Sequence, residues 1–512
     1  MSSRHARTCL ALGLAALTLT ACGSTVQVTS TAALRGSGGG DGLGGTTGPT
    51  STLTGGGSTG TGSTGTITAP AGGSTGGAPS LGTATTGATP GSTVSLPTGI
   101  PVAGVSAGKP IEIGIVLTPT ASAADYGFST GESYTERDVD DALIGTINKR
   151  GGLSGHKIVP VYASTDPSGT NWPQEFAAAC ATFTQDHHVA AVLGYVFTYD
   201  QSFETCLSNK RIPHLATGFN VPGQAELKKH PLHRSLAVPT IDVRSLAKLQ
   251  GAIRDGYLTS KSKLGIALDS CPGTLESWSQ VAEPFLKAHH ISYITFEGGC
   301  SDGNNASAAG AVQSAPSGIL KFRQAGVDVI TFLSVSEGPA LVVVGNAAES
   351  QGWHPIYVMS SLANLSTLEG QGAAMPQDQL ANVKSYGWMP PQDVGPSLQG
   401  AKTAGQTRCL AMLKSSGIVA KSFGDFVNAY RICDAVFAYE LALTANHDDT
   451  SGTTLVAALD RLGTSFSNPD VLEGATLFGK GRENNAPARV RAVVFDQGCS
   501  CFVYKGPSHP MP

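Results

Sequence analysis

The stretch AAVLGYVFTYDQSFETCLSNKRIPHLATGFN, residues 190–220, decides the fold of this chain. A short apolar run, 189–193, ends at Gly194. A polar and aromatic turn follows, then a helical pattern over 199–209 and a second apolar run, 212–216. This order predicts the right-handed strand–helix–strand unit of a parallel sheet. Small ligands bind such sheets at the carboxyl ends of the strands, so we predict that the two turns form half of a ligand site.

Both turns carry side chains and glycines that suit contact with a small ligand. The candidates are Tyr195, Thr198, Tyr199, Thr217, Gly218 and Phe219. Thr198 begins the capping-box pattern Thr-Tyr-Asp-Gln, which predicts it as the N-cap of the following helix. Free backbone N–H groups at a helix start bind a carboxylate or another anion. The alternative is that Thr198 only caps the helix, because Asp200 also complements the positive end of the helix dipole.

Strand and helix patterns alternate on both sides of this stretch. Strands are predicted at 111–117, 157–162, 264–268, 291–296, 327–333 and 356–359. Helices are predicted at 132–149, 173–185, 241–257, 275–289, 319–325 and 339–350, followed by a mostly helical region with 398–415, 423–445 and 453–462. The tail, 489–504, reads as a hairpin that turns at 496–498. Two runs of alternation predict an α/β protein with two doubly wound parallel sheets.

The first 108 residues have a different composition. Arg4 and Arg7 precede a short apolar run, so 1–21 is predicted to be a secretion signal and is too short to span a bilayer. The signal ends in Leu-Thr-Ala-Cys at Cys22, which resembles the lipobox of bacterial lipoproteins and implies acylation of that cysteine; the alternative is an ordinary signal with a chance cysteine. Residues 22–108 are rich in Gly, Ser and Thr and are predicted to be a disordered tether.

The cysteines agree with export. Ten cysteines minus Cys9 and Cys22 leave eight, and an even count in an exported chain predicts disulfides without fixing their pairing. Pairing of neighbours is the simplest arrangement: Cys180–Cys206, Cys271–Cys300, Cys409–Cys433 and, as a tight ring, Cys499–Cys501. The competing interpretation is a metal site. The chain contains no CxxC pair and no HExxH motif, so we predict no metal and no cofactor.

Charge and motifs exclude other classes of protein. The formal net charge is −4 and no cluster of Lys and Arg occurs, so no nucleic-acid partner is predicted. No Ser-His-Asp arrangement stands in a strand–turn–helix context, so a hydrolase is disfavoured and we predict a protein that is not an enzyme.

Several motifs, together with their order along the chain, resemble the branched-chain amino-acid-binding branch of type I solute-binding proteins. These proteins are the extracytoplasmic receptors of ABC importers. The motifs are NKRGGLSG at 148–155, the Asp-Pro pair at 166–167, Tyr-Gly at 126–127, the apolar run at 189–194, GVDV at 326–329 and GATLF at 474–478. The resemblance covers about 109–504.

The resemblance implies two lobes that are joined by three crossover strands and close on a ligand, the type I periplasmic-binding-protein fold. Lobe one would comprise 109–238 and 361–472, and lobe two 239–360 and 473–507. The family often has a disulfide between two helices of lobe one, which Cys180–Cys206 would match. Thr198 and Thr217 match residues that hold the ligand's carboxylate, and Tyr126 either lines the cleft or packs in the core.

In lobe two, the family places polar and acidic residues after two strands. The matching residues are Asp269, Ser270, Ser334, Ser336 and Glu337. An acid here would pair with an ammonium group of the ligand. Glu337 alternatively only begins the next helix, where acids are favoured. The family has an aromatic residue and glycine after the first strand of this lobe, whereas this chain has Cys-Pro-Gly at 271–273, so the resemblance leaves the amino-acid specificity open.

The expected function is that of a monomeric receptor, anchored by lipid to the extracytoplasmic face of the cell membrane. It would capture a small polar solute, an amino acid or a related amide or organic acid, and pass it to an ABC-transporter permease. The alternative is a sensory or scaffold lipoprotein that uses the same fold to contact another protein.

Overall fold

A computed structural model describes residues 108–118, 131–166, 171–194, 199–218, 221–300, 305–334, 337–368 and 375–512. This part of the chain contains two sheets flanked by helices, and the predicted α/β class with two parallel-sheet lobes is confirmed. The predicted signal peptide, Cys22 and the predicted tether up to residue 107 lie outside the described residues. No helix within the described ranges combines the length and the apolar character needed to cross a membrane.

Lobe one contains a five-stranded parallel sheet with the order β2-β1-β3-β4-β5. The strands are β1 Ile111–Leu117, β2 Ile158–Ser164, β3 Ala191–Gly194, β4 His214–Ala216 and β5 His233–Ser235. The helices between them are α1 Glu136–Lys149, α2 Trp172–Ala181 (continued by a π-helical turn, Thr182–Asp186), α3 Gln201–Asn209 and α4 Gln224–Leu227. Phe176 of α2 and Phe203 of α3 share a core with Val192 on one face of the sheet.

Lobe two contains a seven-stranded sheet with the order β12-β11-β10-β9-β8-β6-β7. The strands are β6 Lys263–Asp269, β7 Ser292–Gly298, β8 Val329–Leu333, β9 Ile356–Ser360, β10 Val383–Gly387, β11 Arg489–Asp496 and β12 Cys501–Pro510. The helices are α5 Ile241–Arg254, α6 Pro272–Ser277, α7 Glu283–Ala288, α8 Asn305–Gln324, α9 Glu337–Ser350, α10 Leu365–Leu368, α11 Gln377–Leu380 and α12 Pro390–Asp393. A π-helical turn, Trp278–Ala282, joins α6 to α7, and β11 and β12 form the antiparallel hairpin that the tail pattern predicts.

The chain returns to lobe one later than the sequence predicts. Three further helices, α13 Ala404–Ser415, α14 Phe423–Ala445 and α15 Gly452–Asp460, share a core with β1 and α1 on the second face of the lobe-one sheet. The predicted boundary at 361 is wrong because β10 pairs with β9 in lobe two. The boundary predicted at 473 also shifts, since Phe478 and Ala486 still pack in the lobe-one core.

Three segments cross between the lobes, and side-chain amides join the first to the third. The crossings are 236–240, 394–403 and 467–488. Asn468 Nδ2 donates a hydrogen bond to the Leu236 carbonyl at 3.2 Å. Asn485 Oδ1 accepts from the backbone N–H of Thr240 at 2.9 Å and from its hydroxyl at 3.0 Å. The first and third crossings therefore form one hinge that is held by buried polar contacts.

Two helices begin later than apolar periodicity predicts, because a capping residue determines where each helix starts. The predicted helix start at residue 132 is wrong because Thr135 caps α1 through a capping box with Asp138. The predicted start at 398 is wrong for the same reason, since Thr403 forms a capping box with Gln406 and α13 begins at Ala404.

The structure joins the eight cysteines of the folded part in four neighbouring pairs. The pairs are Cys180–Cys206, Cys271–Cys300, Cys409–Cys433 and Cys499–Cys501. Cys180–Cys206 connects α2 to α3, and Cys409–Cys433 connects α13 to α14. Each of these two links therefore fixes two helices that lie on the same face of the lobe-one sheet.

The GG-x-x-G loop after α1 gives a prediction with a matched control. Gly152 and Gly155 both have φ of +82°, but a Cβ on Gly152 would lie 1.9 Å from the His156 carbonyl oxygen, whereas a Cβ on Gly155 would meet nothing within 4 Å. Gly155→Ala is expected to cost about 1 kcal/mol through the left-handed backbone alone. Gly152→Ala is expected to cost about 2–3 kcal/mol because the clash adds to it. Urea unfolding of both variants measures the difference, and equal losses would contradict the steric explanation.

Candidate functional site

The candidate site lies where strand ends of the two lobes approach each other. Arg244 of α5 shows this approach, because its guanidinium donates to the Val221 carbonyl after β4 at 2.8 Å and to the Ser334 carbonyl after β8 at 3.4 Å. The loop after β6 lies close as well, since a Cβ on Gly273 would be 3.7 Å from Pro222 Cβ. We call these carboxyl ends the strand-end site: Thr118, Gly194, Thr217, Gly218, Asp269, Ser270 and Ser334.

Lobe one contributes two hydroxyl groups to the strand-end site. Thr217 follows β4, is fully buried, and donates its backbone N–H to the Gly194 carbonyl at 3.0 Å. Among the described residues, neither Thr217 Oγ1 nor Thr118 Oγ1 has a hydrogen-bond partner. A buried hydroxyl without a partner lowers the stability of the fold. A ligand that forms hydrogen bonds with these two oxygen atoms would remove that cost.

Two glycines, Gly194 and Gly218, accompany these hydroxyls at the strand ends. Gly194 ends β3 with φ of +99°, a conformation that L side chains rarely adopt, and a Cβ there would lie 3.7 Å from Ile432 of α14. Gly218 is buried directly after Thr217. The glycines of the opening stretch thus lie at the predicted place, at the carboxyl ends of β3 and β4.

The helix after β3 is capped by Asp200, so the prediction of Thr198 as its N-cap is wrong. Asp200 has extended backbone angles, and its Oδ1 accepts a hydrogen bond from the Phe203 N–H at 2.7 Å. An Asp is at least as good an N-cap as Thr, and α3 therefore begins at Gln201, two residues later than predicted. Because a carboxylate already occupies this helix start, the helix dipole is complemented within the protein and a ligand carboxylate is not expected to bind there.

Tyr199 turns away from the strand ends. Its hydroxyl donates to Glu226 Oε1 at 3.2 Å, and its ring lies edge-on to His230 and His233. Burial, with the carboxylates of Glu204 and Glu226 beside it, raises the pKa of Tyr199. The remaining predicted contacts, Tyr126, Tyr195, Thr198, Phe219 and Ser336, lie outside the described residues.

Lobe two contributes a hydrogen-bonded polar pair. Asp269 ends β6, and its Oδ2 accepts a hydrogen bond from Ser334 Oγ, after β8, at 2.8 Å. Both side chains are buried, and Ser270 beside them is half-buried. The disulfide Cys271–Cys300 fixes the following loop to the end of β7. The structure thus brings together three of the five predicted lobe-two residues, Asp269, Ser270 and Ser334, at the ends of two neighbouring strands.

Glu337 has a different environment. It begins α9 and is fully buried, with Oε1 at 2.6 Å from Lys248 Nζ. Its Oε2 accepts hydrogen bonds from the Ser360 backbone N–H and hydroxyl, both at 2.8 Å. Both oxygens are thus bound within lobe two, and the structure supports the interpretation of Glu337 as a helix start over that of a ligand contact.

Two cations of α5 are further residues of this region that the sequence motifs do not single out. Arg244 and Lys248 are both almost fully buried, and burial lowers the pKa of Arg244 to about 10, so it stays charged near neutral pH. Arg244 ties the two lobes at the strand ends, and Lys248 pairs with Glu337. A signal was present, because the two residues stand four apart on the apolar face of the helix between Ile241 and Ala252.

The chain forms two sheets with helical layers, three crossings join them, and polar groups lie at facing strand ends. This architecture is the type I periplasmic-binding-protein fold, and solved structures of solute-binding proteins confirm it. A solute-binding protein of Rhodopseudomonas palustris HaA2 in complex with p-hydroxybenzoic acid has a TM-score of 0.57 at 12% identity, covering 79% of this chain and 98% of that one. A fatty-acid ABC-transporter substrate-binding protein of Thermomonospora curvata has a TM-score of 0.55 at 14% identity, with 78% and 92% covered. A leucine-binding protein of Thermotoga maritima has a TM-score of 0.55 at 10% identity, with 77% and 98% covered. No protein-family model and no curated protein matches the sequence.

Proposed function

We propose that this chain is an extracytoplasmic solute-binding protein that captures a small polar solute at the strand-end site and delivers it to an ABC-transporter permease. One observation supports this most: Thr118 and Thr217 present buried hydroxyls without a partner among the described residues. Each belongs to a strand end of lobe one, while Asp269 and Ser334 form the polar pair of lobe two. A buried site that offers such groups from two lobes is organised to hold a ligand.

The solute class follows from these groups. Hydroxyl donors in lobe one suit a carboxylate, and the carboxylate of Asp269 suits an ammonium or a hydroxyl group at the other end of the solute. A leucine-binding protein and a p-hydroxybenzoic-acid complex share this fold, and both solutes have that pattern of a carboxyl group and a second polar group. We therefore place amino acids and small hydroxy acids first among the candidate solutes.

Anchoring is the second part of the proposal. The lipobox-like end of the predicted signal would direct the acylation of Cys22. The Gly-rich stretch up to residue 108 would hold the receptor away from the membrane. Intact mass spectrometry of the purified chain tests this part, because an N-terminus at Cys22 with added acyl mass supports it. An unmodified N-terminus at another residue would contradict it.

A thermal-shift screen tests solute capture. The purified chain would be heated with amino acids, amides, hydroxybenzoic acids and fatty acids, one at a time. A true solute at 100 times its dissociation constant is expected to add about 2.7 kcal/mol to the free energy of unfolding. Native mass spectrometry of the untreated protein would detect a solute that is carried through purification. A screen without any stabilising compound would favour the alternative of a scaffold protein.

Thr217→Val separates ligand binding from stability. Because the Thr217 hydroxyl has no partner among the described residues, its removal is expected to leave the free energy of unfolding unchanged or to raise it by about 1 kcal/mol. Affinity for the solute is expected to fall roughly 5- to 10-fold through loss of one hydrogen bond. The matched control is Thr331→Val, whose buried hydroxyl donates to the Val358 carbonyl at 2.8 Å.

Thr331→Val is expected to show the opposite pattern, with a loss of stability of about 1–2 kcal/mol and unchanged affinity. Isothermal titration with the solute and urea unfolding measure the two quantities. Unchanged affinity in Thr217→Val would remove Thr217 from the ligand site.

A further inference from the structure

Three metal-binding side chains converge in the core of lobe one. They are Glu204 on α3, His214 at the start of β4 and His233 at the start of β5, which we call the Glu–His cluster. All three are at least 96% buried. One ligand atom from each lies within 4.8 Å of the others. The cluster is separate from the strand-end site, because His214 stands at the opposite end of β4 from Thr217.

The sheet explains why these residues meet. β4 and β5 are parallel neighbours, and His214 is paired in register with His233, so both imidazoles project from the same face. α3 packs on that face and directs Glu204 between them. The Glu204 carboxylate approaches both rings: Oε1 lies 2.6 Å from His214 Nδ1, and Oε2 lies 3.2 Å from His233 Nδ1.

The cluster has ring nitrogens that the protein leaves unsatisfied. Within the described part of the chain, His233 Nδ1, which faces Glu204, is buried and has no hydrogen-bond partner, and the same holds for Nε2 of His214 and of His233. Buried polar groups are nearly always partnered, and several exceptions at one place call for an explanation such as an ion.

From this arrangement we propose that Glu204, His214 and His233 bind a divalent transition-metal ion of the Zn²⁺ class. Two imidazoles and one carboxylate are a common set of three zinc ligands, and the absence of a thiolate from the set favours zinc, nickel or cobalt over softer ions. The fourth position would be taken by a water. Full burial makes the ion structural.

The observed distances fit a site seen without its ion. Two atoms that bind one zinc at about 2.1 Å lie roughly 3.4 Å apart in tetrahedral geometry. The 3.2 Å between His233 Nδ1 and Glu204 Oε2 is already close to this value. The 2.6 Å between His214 Nδ1 and Glu204 Oε1 is a hydrogen bond, and these two atoms would move apart by less than 1 Å. Metal binding would replace the proton of that hydrogen bond.

The ion would also stiffen the ligand-binding side of lobe one. It would join α3, β4 and β5, and β4 leads directly into Thr217. No metal is predicted from the sequence because the three ligands follow no short motif, and only strand pairing brings His214 next to His233.

The test starts with the wild-type full chain, purified without a metal-affinity tag. After removal of bound metal with a chelator, ZnCl₂ would be titrated in competition with a chromophoric chelator, and the melting temperature recorded with and without Zn²⁺. We expect one equivalent of Zn²⁺ per chain and a higher melting temperature. Co²⁺ is expected to give the visible absorption of a four-coordinate ion with nitrogen and oxygen ligands.

Variants locate the ion. His233→Gln and Glu204→Gln are each expected to lower the affinity for Zn²⁺ at least 10-fold. The matched control is His187→Gln, which removes a histidine of the same lobe that lies 3.5 Å from the Glu112 carboxylate but is 45% exposed. Its Zn²⁺ affinity is expected to equal that of the wild type.

Two results would overturn the site. One is a wild-type chain that binds no stoichiometric Zn²⁺, Ni²⁺ or Co²⁺. The other is full affinity in both cluster variants. If neither variant folds, X-ray absorption of the Co²⁺-loaded wild type decides, because sulfur or all-oxygen coordination would contradict a site with two imidazoles.

Discussion

Lys248→Met is expected to lower the free energy of unfolding by about 3–5 kcal/mol, because it leaves the Glu337 carboxylate buried without its cation. The Lys248 ammonium lies 2.6 Å from Glu337 Oε1 and donates to the Phe332 carbonyl as well. Burial lowers the pKa of Lys248, while Glu337 beside it opposes that shift. Urea unfolding at neutral pH measures the loss.

The double variant Lys248→Met with Glu337→Gln distinguishes the pair from general packing. A neutral glutamine can still accept from Ser360, so the double variant is expected to recover most of the stability and to show strong coupling in a double-mutant cycle. The control is Lys287→Met, because Lys287 pairs with Glu283 at 2.9 Å but is 63% exposed. A surface pair contributes about 0–1 kcal/mol, so a loss in Lys287→Met as large as in Lys248→Met would contradict the role of burial.

Asp470→Asn is expected to raise stability at pH 8 by about 2–4 kcal/mol. Asp470 lies in the third crossing and is fully buried. Burial raises its pKa from 3.8 to about 7; the guanidinium of Arg431 opposes the shift, and Asp393 adds to it. The folded chain therefore holds a proton on Asp470 up to about pH 7, whereas the unfolded chain releases it near 3.8. Stability thus falls as pH rises through this window.

Asparagine removes that pH dependence because it cannot ionise. The difference in stability between Asp470→Asn and the wild type is expected to be small at pH 4 and to grow until about pH 7, where it levels off. The matched control is the exposed Asp448→Asn, which is expected to keep the wild-type profile. A difference that stays constant from pH 4 to pH 8 would mean that Asp470 is ionised in the folded state throughout.

Local patterns predict the elements well where each element carries its own signal. The helix predicted at 423–445 is α14 with the same bounds, because Ser422 caps it and forms a capping box with Asp425. The turn between the two tail strands follows β11 where the pattern placed it. Where a capping residue competes with apolar periodicity, as at Asp200, the cap decides the start of the helix.

The sequence by itself determined the fold class, because alternation of strand and helix patterns is a local property that only a parallel-sheet architecture accommodates. It also placed Thr217 and Asp269 at strand ends, since those positions follow directly from the ends of apolar runs. Features that depend on contacts between distant residues became clear from the folded chain alone. In the folded chain, β10 pairs with β9 in lobe two, Glu337 pairs with Lys248, and His214 lies beside His233. Buried charges and imidazoles acquire their roles from partners that the chain brings together only on folding.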